Sequence, residues 1–323
     1  MTDVTLSRRK LLGAGAGIAA AATLGTRGLG TEPAGAGTEF NYTGSPLFAA
    51  ERVGIQLYSV RDQISSIGFA RVFEALAGIG YKEVEFAGYT QGSVGPITPA
   101  QIRQLLDDHG LKGVASHVSV TTANAKQTCD TAKILGLPYV GLASASSQNG
   151  TIAGWQAAAD NLNAIGAAVA AEGLKFYWHN HSAEFGFTSD QPMTRIYDIL
   201  LAETDPALVF MQMDIFWAYV GQYQWGRPPF PAFSPVAYVK AHRSRYPLFH
   251  VKDGKQNQGS QNGYDMVDVG QGHIDFEAFF CEVGVVAGHH YLYERDNANA
   301  HPFGSLVSSK ASGLYMKHGL VGC

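Results

Sequence analysis

Several features that define well-known protein classes are scarce or missing in this sequence. Its three cysteines, Cys129, Cys281 and Cys323, show no CxxC spacing, so they predict neither a disulfide framework nor a zinc site. Cys129 and Cys281 fall on predicted helices, where we expect them to be buried as small hydrophobic residues. Only 15% of the residues are charged, the formal net charge is −4, and no basic run follows the N-terminal region. Because nucleic-acid binding needs a concentrated basic surface, we expect no nucleic-acid partner.

The first thirty residues do not have the pattern of a folded domain. Arg8 and Arg9 precede a weakly apolar run, residues 11–24, that is rich in glycine and alanine. This combination predicts a twin-arginine export signal, and the run is too short for a membrane span. A disordered basic N-terminus is the alternative. We place the signal peptide at residues 1–36 and a linker at 37–50, and we expect a periplasmic or extracellular protein without a membrane span.

Residues 51–323 show apolar strand patterns that alternate with helical patterns about every 30 residues. The predicted strands are 53–58, 82–86, 111–117, 139–142, 175–181, 208–214, 248–251 and 291–294. A doubly wound open sheet is the alternative, but no G-x-G-x-x-G follows the first strand. The sequence therefore predicts an α/β protein with a single domain, a (β/α)8 TIM barrel. Two long connections, 221–234 and 253–273, are candidates for substrate lids.

Polar side chains stand at the end of most predicted strands. In a TIM barrel the carboxyl ends of the strands share one mouth, which holds the active site. Imidazole and carboxylate groups together suit one divalent ion, with Mn²⁺, Zn²⁺, Co²⁺, Fe²⁺ and Mg²⁺ left open. Such an ion polarises substrate oxygens, so that a nearby base removes a proton from the adjacent carbon. The residues that we expect at this mouth are Glu85, His117, His179, His181, Asp214, His250, Lys252, Asp253 and Glu294.

Six segments of the chain resemble the sugar phosphate isomerase/epimerase family, which has a xylose-isomerase-like TIM barrel and is related to endonuclease IV. They are IQLYSVR at 55–61, GYKEVEF at 80–86, WHNH at 178–181, MD at 213–214, HVKD at 250–253 and YE at 293–294. The resemblance covers roughly residues 50–320. It implies an enzyme that binds a divalent metal and acts on a small-molecule sugar or sugar derivative.

The resemblance also implies a set of metal ligands, which are His179, Asp214, His250 and Glu294 in this sequence. Epimerases of the family usually have a glutamate at the position of His179, and their two metal-bound glutamates handle protons on opposite faces of the substrate. Since only Glu294 remains of that pair, a proton shuttle with one base, or elimination from a keto-sugar, fits better than epimerisation with two bases. Which of His179 and His181 binds the metal is left open.

The other candidate residues receive catalytic or substrate-binding roles. We expect Glu294 to be the main base, with help from His117 or Lys252. A structural role is the alternative for His117, and an ion pair with Asp253 is the alternative for Lys252. The residues that we expect to contact substrate are Glu85, His181, Glu184, Asp253, Arg61 and Trp225.

The predicted function is that of an exported, metal-dependent sugar isomerase or epimerase. A lyase or dehydratase acting on a keto-sugar or a 3-keto-glycoside is the alternative. An endonuclease-IV-like nuclease needs more metal ligands and a basic groove, and a non-catalytic sugar-binding barrel needs no metal. The oligomeric state, including a homo-oligomer, is left open.

Overall fold

The computed structural model describes residues 44–323, which contain ten β-strands. Eight of them form one parallel sheet with the neighbour order β3-β2-β1-β10-β7-β6-β5-β4 once the strands are numbered along the chain. The strands are β1 (Val53–Gln56), β2 (Glu83–Phe86), β3 (Lys112–Ser116), β4 (Tyr139–Leu142), β5 (Lys175–His179), β6 (Val209–Asp214), β7 (Leu248–Val251), β8 (Asp253–Gln256), β9 (Tyr264–Val267) and β10 (His290–Tyr293). A parallel bridge between His117 and Gly141 joins the two edge strands, β3 and β4. The predicted (β/α)8 TIM barrel is thereby confirmed.

Helices follow the barrel strands, as the alternating pattern predicts. Thr98 begins α2 with its side chain, which accepts a hydrogen bond from the backbone of Gln101, and Pro99 occupies the first turn. The first helix begins at Arg61, and Gly68 interrupts its helical geometry with φ 80°. The helices are α1 (Arg61–Ile79), α2 (Pro99–Asp108), α3 (Ala125–Leu135), α4 (Ile152–Ala171), α5 (Ile196–Glu203), α6 (Ile215–Trp225), α7 (Pro235–Ala241), α8 (Phe276–Val283) and α9 (Ser305–Leu314).

Apolar side chains fill the inside of the barrel below the polar strand ends. Tyr177, Leu248 and Leu292 are buried in one cluster there. Gly54 of β1 faces this cluster, and a Cβ atom at its position would lie 2.6 Å from Leu292 Cδ2 and 2.7 Å from Glu83 O. The close packing of this layer leaves the carboxyl end of the barrel as the place where polar side chains meet.

The two ends of the described chain pack together under the barrel. Pro46 forms a bridge with Val321, and the Phe48 ring stacks on Tyr291 with centroids 3.9 Å apart. Residues 44–50, which the sequence predicts as the end of a linker, therefore belong to the packed structure. They carry two buried core side chains, Leu47 and Phe48.

A disulfide joins Cys281 of α8 to Cys323, so the prediction for Cys281 is wrong. Cys281 is exposed rather than buried. Its partner is 42 residues away, and the spacing of the cysteines does not indicate the pairing. Cys129 is fully buried and free, as predicted.

The two long connections contain regular secondary structure in addition to loop. Helix α6 continues to Trp225, which leaves residues 226–234 as the connection before α7. The connection 253–273 contains an antiparallel hairpin of β8 and β9. Within the described residues, no helix is long and apolar enough to cross a membrane.

Candidate metal centre

Four side chains from four barrel strands converge at the carboxyl end of the barrel. His179 ends β5, Asp214 ends β6, His250 lies in β7 and Glu294 follows β10. All four are buried, and one nitrogen or oxygen atom of each lies within 4.8 Å of the others. His250 Nδ1 lies 2.8 Å from Glu294 Oε2 and 3.8 Å from Asp214 Oδ2, while His179 Nε2 lies 3.7 Å from the same aspartate oxygen.

Hydrogen bonds behind the two histidines fix which nitrogen faces the cluster. His179 Nδ1 lies 3.0 Å from Gln212 Oε1, and His250 Nε2 lies 2.5 Å from Glu85 Oε2. Because both partners are hydrogen-bond acceptors, these nitrogens carry the protons. His179 Nε2 and His250 Nδ1 are therefore the nitrogens presented to a metal ion, an arrangement in which outer partners orient the ligands.

Glu85 lies beneath the cluster as the acceptor for several donors. Gln212 Nε2 donates to both Glu85 oxygens, at 2.9 and 3.0 Å, and the Tyr177 hydroxyl also donates to it. Burial alone would raise the pKa of Glu85, but the nearby His117 and His250 outweigh it and lower that pKa. Glu85 therefore remains ionised behind the ligands.

Lys252 supplies a positive charge among the carboxylates. Its Nζ lies 2.8 Å from Asp214 Oδ2, 2.7 Å from Glu294 Oε2 and 2.8 Å from Asp296 Oδ1. Burial favours the neutral amine, yet these carboxylates raise the pKa of Lys252 well above its usual value. Its ion-pair partners are therefore Asp214, Glu294 and Asp296, and the alternative of a pair with Asp253 is wrong.

The residues present fit a divalent metal ion. His250 Nδ1 is buried and forms no well-aligned hydrogen bond, although Glu294 Oε2 is only 2.8 Å away. Burial favours the neutral ring, yet Glu294 and Glu85 raise the pKa of His250 well above its usual value, so this position attracts a cation, either a proton or a metal ion. Burial lowers the pKa of His179 well below its usual value, and the neighbouring His250, His117 and His181 add to this effect. The His179 ring is therefore neutral and can donate its lone pair. Two imidazole nitrogens and two carboxylates are a ligand set for Mn²⁺, Fe²⁺, Co²⁺ or Zn²⁺.

A cavity of about 490 Å³ opens beside this cluster. It brings together His117, His179, His181 and Glu294, four of the residues that the sequence analysis places at the mouth. The lining also includes residues that sequence reasoning missed: Tyr58, Trp217 and Asp296. Tyr58 and Asp296 lie two to three residues beyond strand ends, which is the signal that would have found them.

A larger cavity of about 600 Å³ lies at the opposite end of the barrel. It is lined by the first residues of three strands, including Glu83 and His290. His290 Nδ1 lies 2.7 Å from Glu83 Oε2, and Arg52 Nη1 lies 3.3 Å from Glu83 Oε1. The amino-terminal face of a TIM barrel serves stability, so the smaller cavity is the candidate active site.

Two predicted substrate contacts, Arg61 and Trp225, lie outside the lining of the smaller cavity. The Arg61 guanidinium stacks over the Tyr58 ring at 3.8 Å and donates to the backbone oxygen of Asp296 at 3.0 Å. It thereby supports two lining residues from behind. Trp225 ends α6, and its backbone oxygen accepts a hydrogen bond from Arg195. Their contact with substrate stays a prediction.

Glu184 and Asp253 are also outside the lining and have backbone partners. Glu184 Oε2 accepts the backbone N–H of His181 at 3.0 Å, and burial raises the pKa of Glu184 to about 7. The Asp253 carboxylate accepts the backbone N–H groups of Gly270 and Gly272 at 3.0 and 2.9 Å. In the structure, both carboxylates organise loops next to the site.

Gln212 is the functional residue that sequence reasoning missed most clearly. It is buried in β6 and contacts Glu85, His117 and His179. The signal was present, because Gln212 is the one polar residue in the apolar run that leads to Asp214. A buried polar residue within a strand needs partners, and these partners are the site itself.

Comparisons with known proteins agree with this geometry. A model of the xylose isomerase-like TIM barrel family matches residues 73–284, which is more than half of the chain. The chain therefore belongs to the xylose isomerase-like TIM barrel family. No curated protein matches it.

Solved structures with the same fold include three informative ones. A sugar phosphate isomerase/epimerase from Parabacteroides distasonis has a TM-score of 0.67 and 24% identity, over 81% of this chain and 96% of that chain. The probable 3-DHS dehydratase AsbF from Bacillus anthracis, involved in petrobactin synthesis, has a TM-score of 0.60 and 15% identity, over 82% and 98%. The IolI protein, solved with a bound zinc atom, has a TM-score of 0.62 and 14% identity, over 82% and 97%. At these identities the likeness concerns the fold.

Proposed function

We propose that this protein is a divalent-metal-dependent isomerase or epimerase that acts on a small sugar. The observation that carries the proposal is the convergence of His179, Asp214, His250 and Glu294 at the carboxyl end of a barrel, beside a cavity. The zinc atom bound in the IolI structure and the sugar phosphate isomerase/epimerase among the similar folds support it. These four residues would hold the ion.

The protein's own residues supply the proton chemistry. A bound divalent ion would act as a Lewis acid toward substrate oxygens, which makes a proton on the neighbouring carbon more acidic. Glu294 lines the cavity, and Lys252 and His250 lower its pKa well below the usual value despite burial, so it is an ionised carboxylate. His117 lines the same cavity and provides a second group for proton transfer.

The replacement of a glutamate by His179 favours isomerisation over epimerisation with two bases. His179 Nδ1 is bound to Gln212 and its Nε2 faces the metal ligands, so its ring has no nitrogen left for a substrate proton. Of the four proposed ligands, His179 and Glu294 line the cavity, so Glu294 is the carboxylate ligand that can act as a base there. Asp296 also lines the cavity, but its carboxylate is paired with Lys252. A base that removes and returns a proton on one face suits aldose–ketose isomerisation.

The cavity favours a sugar without a phosphate group. Among the described residues, no arginine or lysine lines it, and Lys252 is held by three carboxylates behind it. A phosphate needs cationic or backbone N–H partners. Tyr58 and Trp217 also line the cavity, and aromatic side chains suit packing against the C–H groups of a neutral sugar ring.

An activity survey tests this proposal. The purified protein, with Mn²⁺ added, would be incubated with free aldoses and ketoses, their phosphates and a 3-keto-glycoside, and the products would be identified by NMR in D₂O. We expect interconversion of a free sugar with deuterium incorporated next to the carbonyl, and loss of that exchange in Glu294→Gln. If no free sugar is converted and the 3-keto-glycoside is cleaved, the protein is a lyase that acts by elimination and not an isomerase.

We also propose that the protein is exported by the twin-arginine route. The paired Arg8 and Arg9 support this, and so does the disulfide between Cys281 and Cys323, because such bonds persist in oxidising compartments. Cell fractionation of the full chain tests it. Replacement of both arginines by lysine is expected to keep the protein in the cytoplasm, and unchanged export would contradict the proposal.

A further inference from the structure

Gln212 connects the two histidines of the proposed metal centre through a buried chain of hydrogen bonds. Its Oε1 accepts from His179 Nδ1 at 3.0 Å, and its Nε2 donates to Glu85, which in turn accepts from His250 Nε2 at 2.5 Å. Gln212, Glu85 and His250 are each at most 1% exposed. Four barrel strands, β2, β5, β6 and β7, are thus tied together directly behind the ligands.

The direction of the hydrogen bonds in this chain is determined by the donors around Glu85. The Tyr177 hydroxyl and His250 Nε2 each lie against one of its two oxygens, and Gln212 Nε2 lies 2.9 and 3.0 Å from them. Gln212 therefore turns its amide nitrogen toward Glu85 and its oxygen toward His179. The same oxygen also accepts from His117 Nε2 at 2.8 Å. A flipped amide would place the NH₂ group against two ring N–H groups and leave Glu85 without its donor, so one orientation is strongly preferred.

We infer that Gln212 is a positioning residue that sets the two metal-facing histidines in opposite tautomeric arrangements. His179 keeps its proton on Nδ1 and presents Nε2, whereas His250 keeps its proton on Nε2 and presents Nδ1. The inference rests on the proposed metal centre, but the arrangement of His179 also exists without an ion. Gln212 acts through the histidines and does not line the cavity.

The tautomers are directly measurable. In protein labelled with ¹⁵N-histidine, two-bond ¹⁵N–¹H correlations distinguish Nδ1–H from Nε2–H rings, and metal binding identifies the coordinating nitrogen. We expect the Nδ1–H form for His179 in metal-free protein, and coordination through Nε2 of His179 and Nδ1 of His250 once Mn²⁺ is replaced by diamagnetic Zn²⁺. A wild-type His179 ring with its proton on Nε2 would overturn the inference.

A variant series separates this positioning from a packing role. Gln212→Met keeps the size and removes both polar groups, and we expect Zn²⁺ affinity to fall about 10–100-fold, as for other outer-shell partners of ligands. Gln212→Glu keeps an acceptor oxygen for His179 and His117, and its second oxygen, once protonated against Glu85, donates to that carboxylate as the amide does. This variant should therefore retain the Nδ1–H tautomer and recover most of the affinity. If Gln212→Met does not fold, Gln212→Asn withdraws the same amide by one methylene and is expected to show the loss.

Gln222→Met is the matched control. Gln222 is a half-buried glutamine of α6 whose side-chain nitrogen donates to the backbone oxygen of Phe233 at 2.7 Å, away from the ligands. We expect it to lower stability without a change in Zn²⁺ affinity or in the His179 tautomer. An unchanged tautomer and affinity in folded Gln212→Met or Gln212→Asn would contradict the inference. A wild-type protein that binds no divalent ion would instead overturn the proposed function, while the tautomer measurement would still test Gln212.

Discussion

At the scale of single residues, burial decides what the charged groups of this site can do. Lys252 and Asp214 are almost completely buried, so their charges are stable only as a group. Glu184 is buried as well, and its Oε2 accepts from the backbone N–H of His181. Burial raises the pKa of Glu184 to about 7, whereas Lys252 and His250 lower that of Glu294, so buried carboxylates of this protein differ in the pH at which they ionise.

Glu184 should make stability depend on pH. Its carboxyl holds a proton more tightly in the folded protein than in the unfolded chain, so the free energy of unfolding should fall as pH rises from 4.5 to about 7. Glu184→Gln is neutral and its oxygen still accepts the His181 N–H, so it should flatten this slope and be up to about 3 kcal/mol more stable at pH 8. Urea unfolding at pH 5 and pH 8 measures this, with the exposed Glu51→Gln as control. A wild-type protein that grows more stable from pH 5 to pH 8 while Glu184→Gln does the same would contradict it.

Lys252 should stabilise the metal-free protein. Lys252→Met leaves the carboxylates of Asp214 and Glu294 buried without their cation, which should cost about 3–5 kcal/mol in the presence of EDTA. A divalent ion would replace that positive charge, so Mn²⁺ should raise the melting temperature of the variant more than that of the wild type. Equal shifts on addition of Mn²⁺ would show that the ion and Lys252 do not share these carboxylates. Lys255→Met, an exposed lysine of β8, is the control.

At the scale of elements, the closing segments of the chain depend on contacts that are far apart in sequence. The disulfide joins α8 to Cys323 across a sequence separation of 42 residues. Val321 N donates to Glu277 Oε1 of the same helix at 2.8 Å, and Leu47 N donates to Leu320 O at 3.0 Å. The C-terminal segment thus connects α8 with the residues that precede β1.

Removal of the disulfide should loosen this closure. Cross-linking a loop of this length restricts the unfolded chain, and Cys281→Ser should lower the free energy of unfolding by about 2–4 kcal/mol. Thermal unfolding with and without dithiothreitol measures the effect, and the reductant should lower the melting temperature of the wild type but not of Cys281→Ser. Cys129→Ala, which keeps the disulfide, should remain sensitive to the reductant. A wild type that is insensitive to reductant would contradict the pairing.

At the scale of the whole molecule, the fold could be predicted from the sequence because strand and helix patterns alternate throughout residues 51–323. The strand pattern also places the four proposed ligands at one mouth, since each stands at a strand end and the barrel brings strand ends together. Their selection from the larger set of residues at that mouth depended on the family resemblance. The polar Gln212 within an apolar strand indicates buried partners, but its actual partners, those of Tyr177 and the disulfide pairing could not be predicted, because they are set by register and by loop paths that no local pattern encodes. The role of Glu184 was missed because its partner is the backbone N–H of His181, and residue spacing does not indicate a hydrogen bond from a side chain to the backbone.

We propose above all that this barrel holds a divalent ion between His179, Asp214, His250 and Glu294. The most direct measurement is the metal content, by inductively coupled plasma mass spectrometry, of purified protein loaded with Mn²⁺ or Zn²⁺ and dialysed. We expect one bound ion per wild-type chain and loss of that ion in His250→Ala/Glu294→Ala, with folding verified by circular dichroism. A folded wild type without a bound ion, or a double variant that retains it, would show that these residues do not form a metal site.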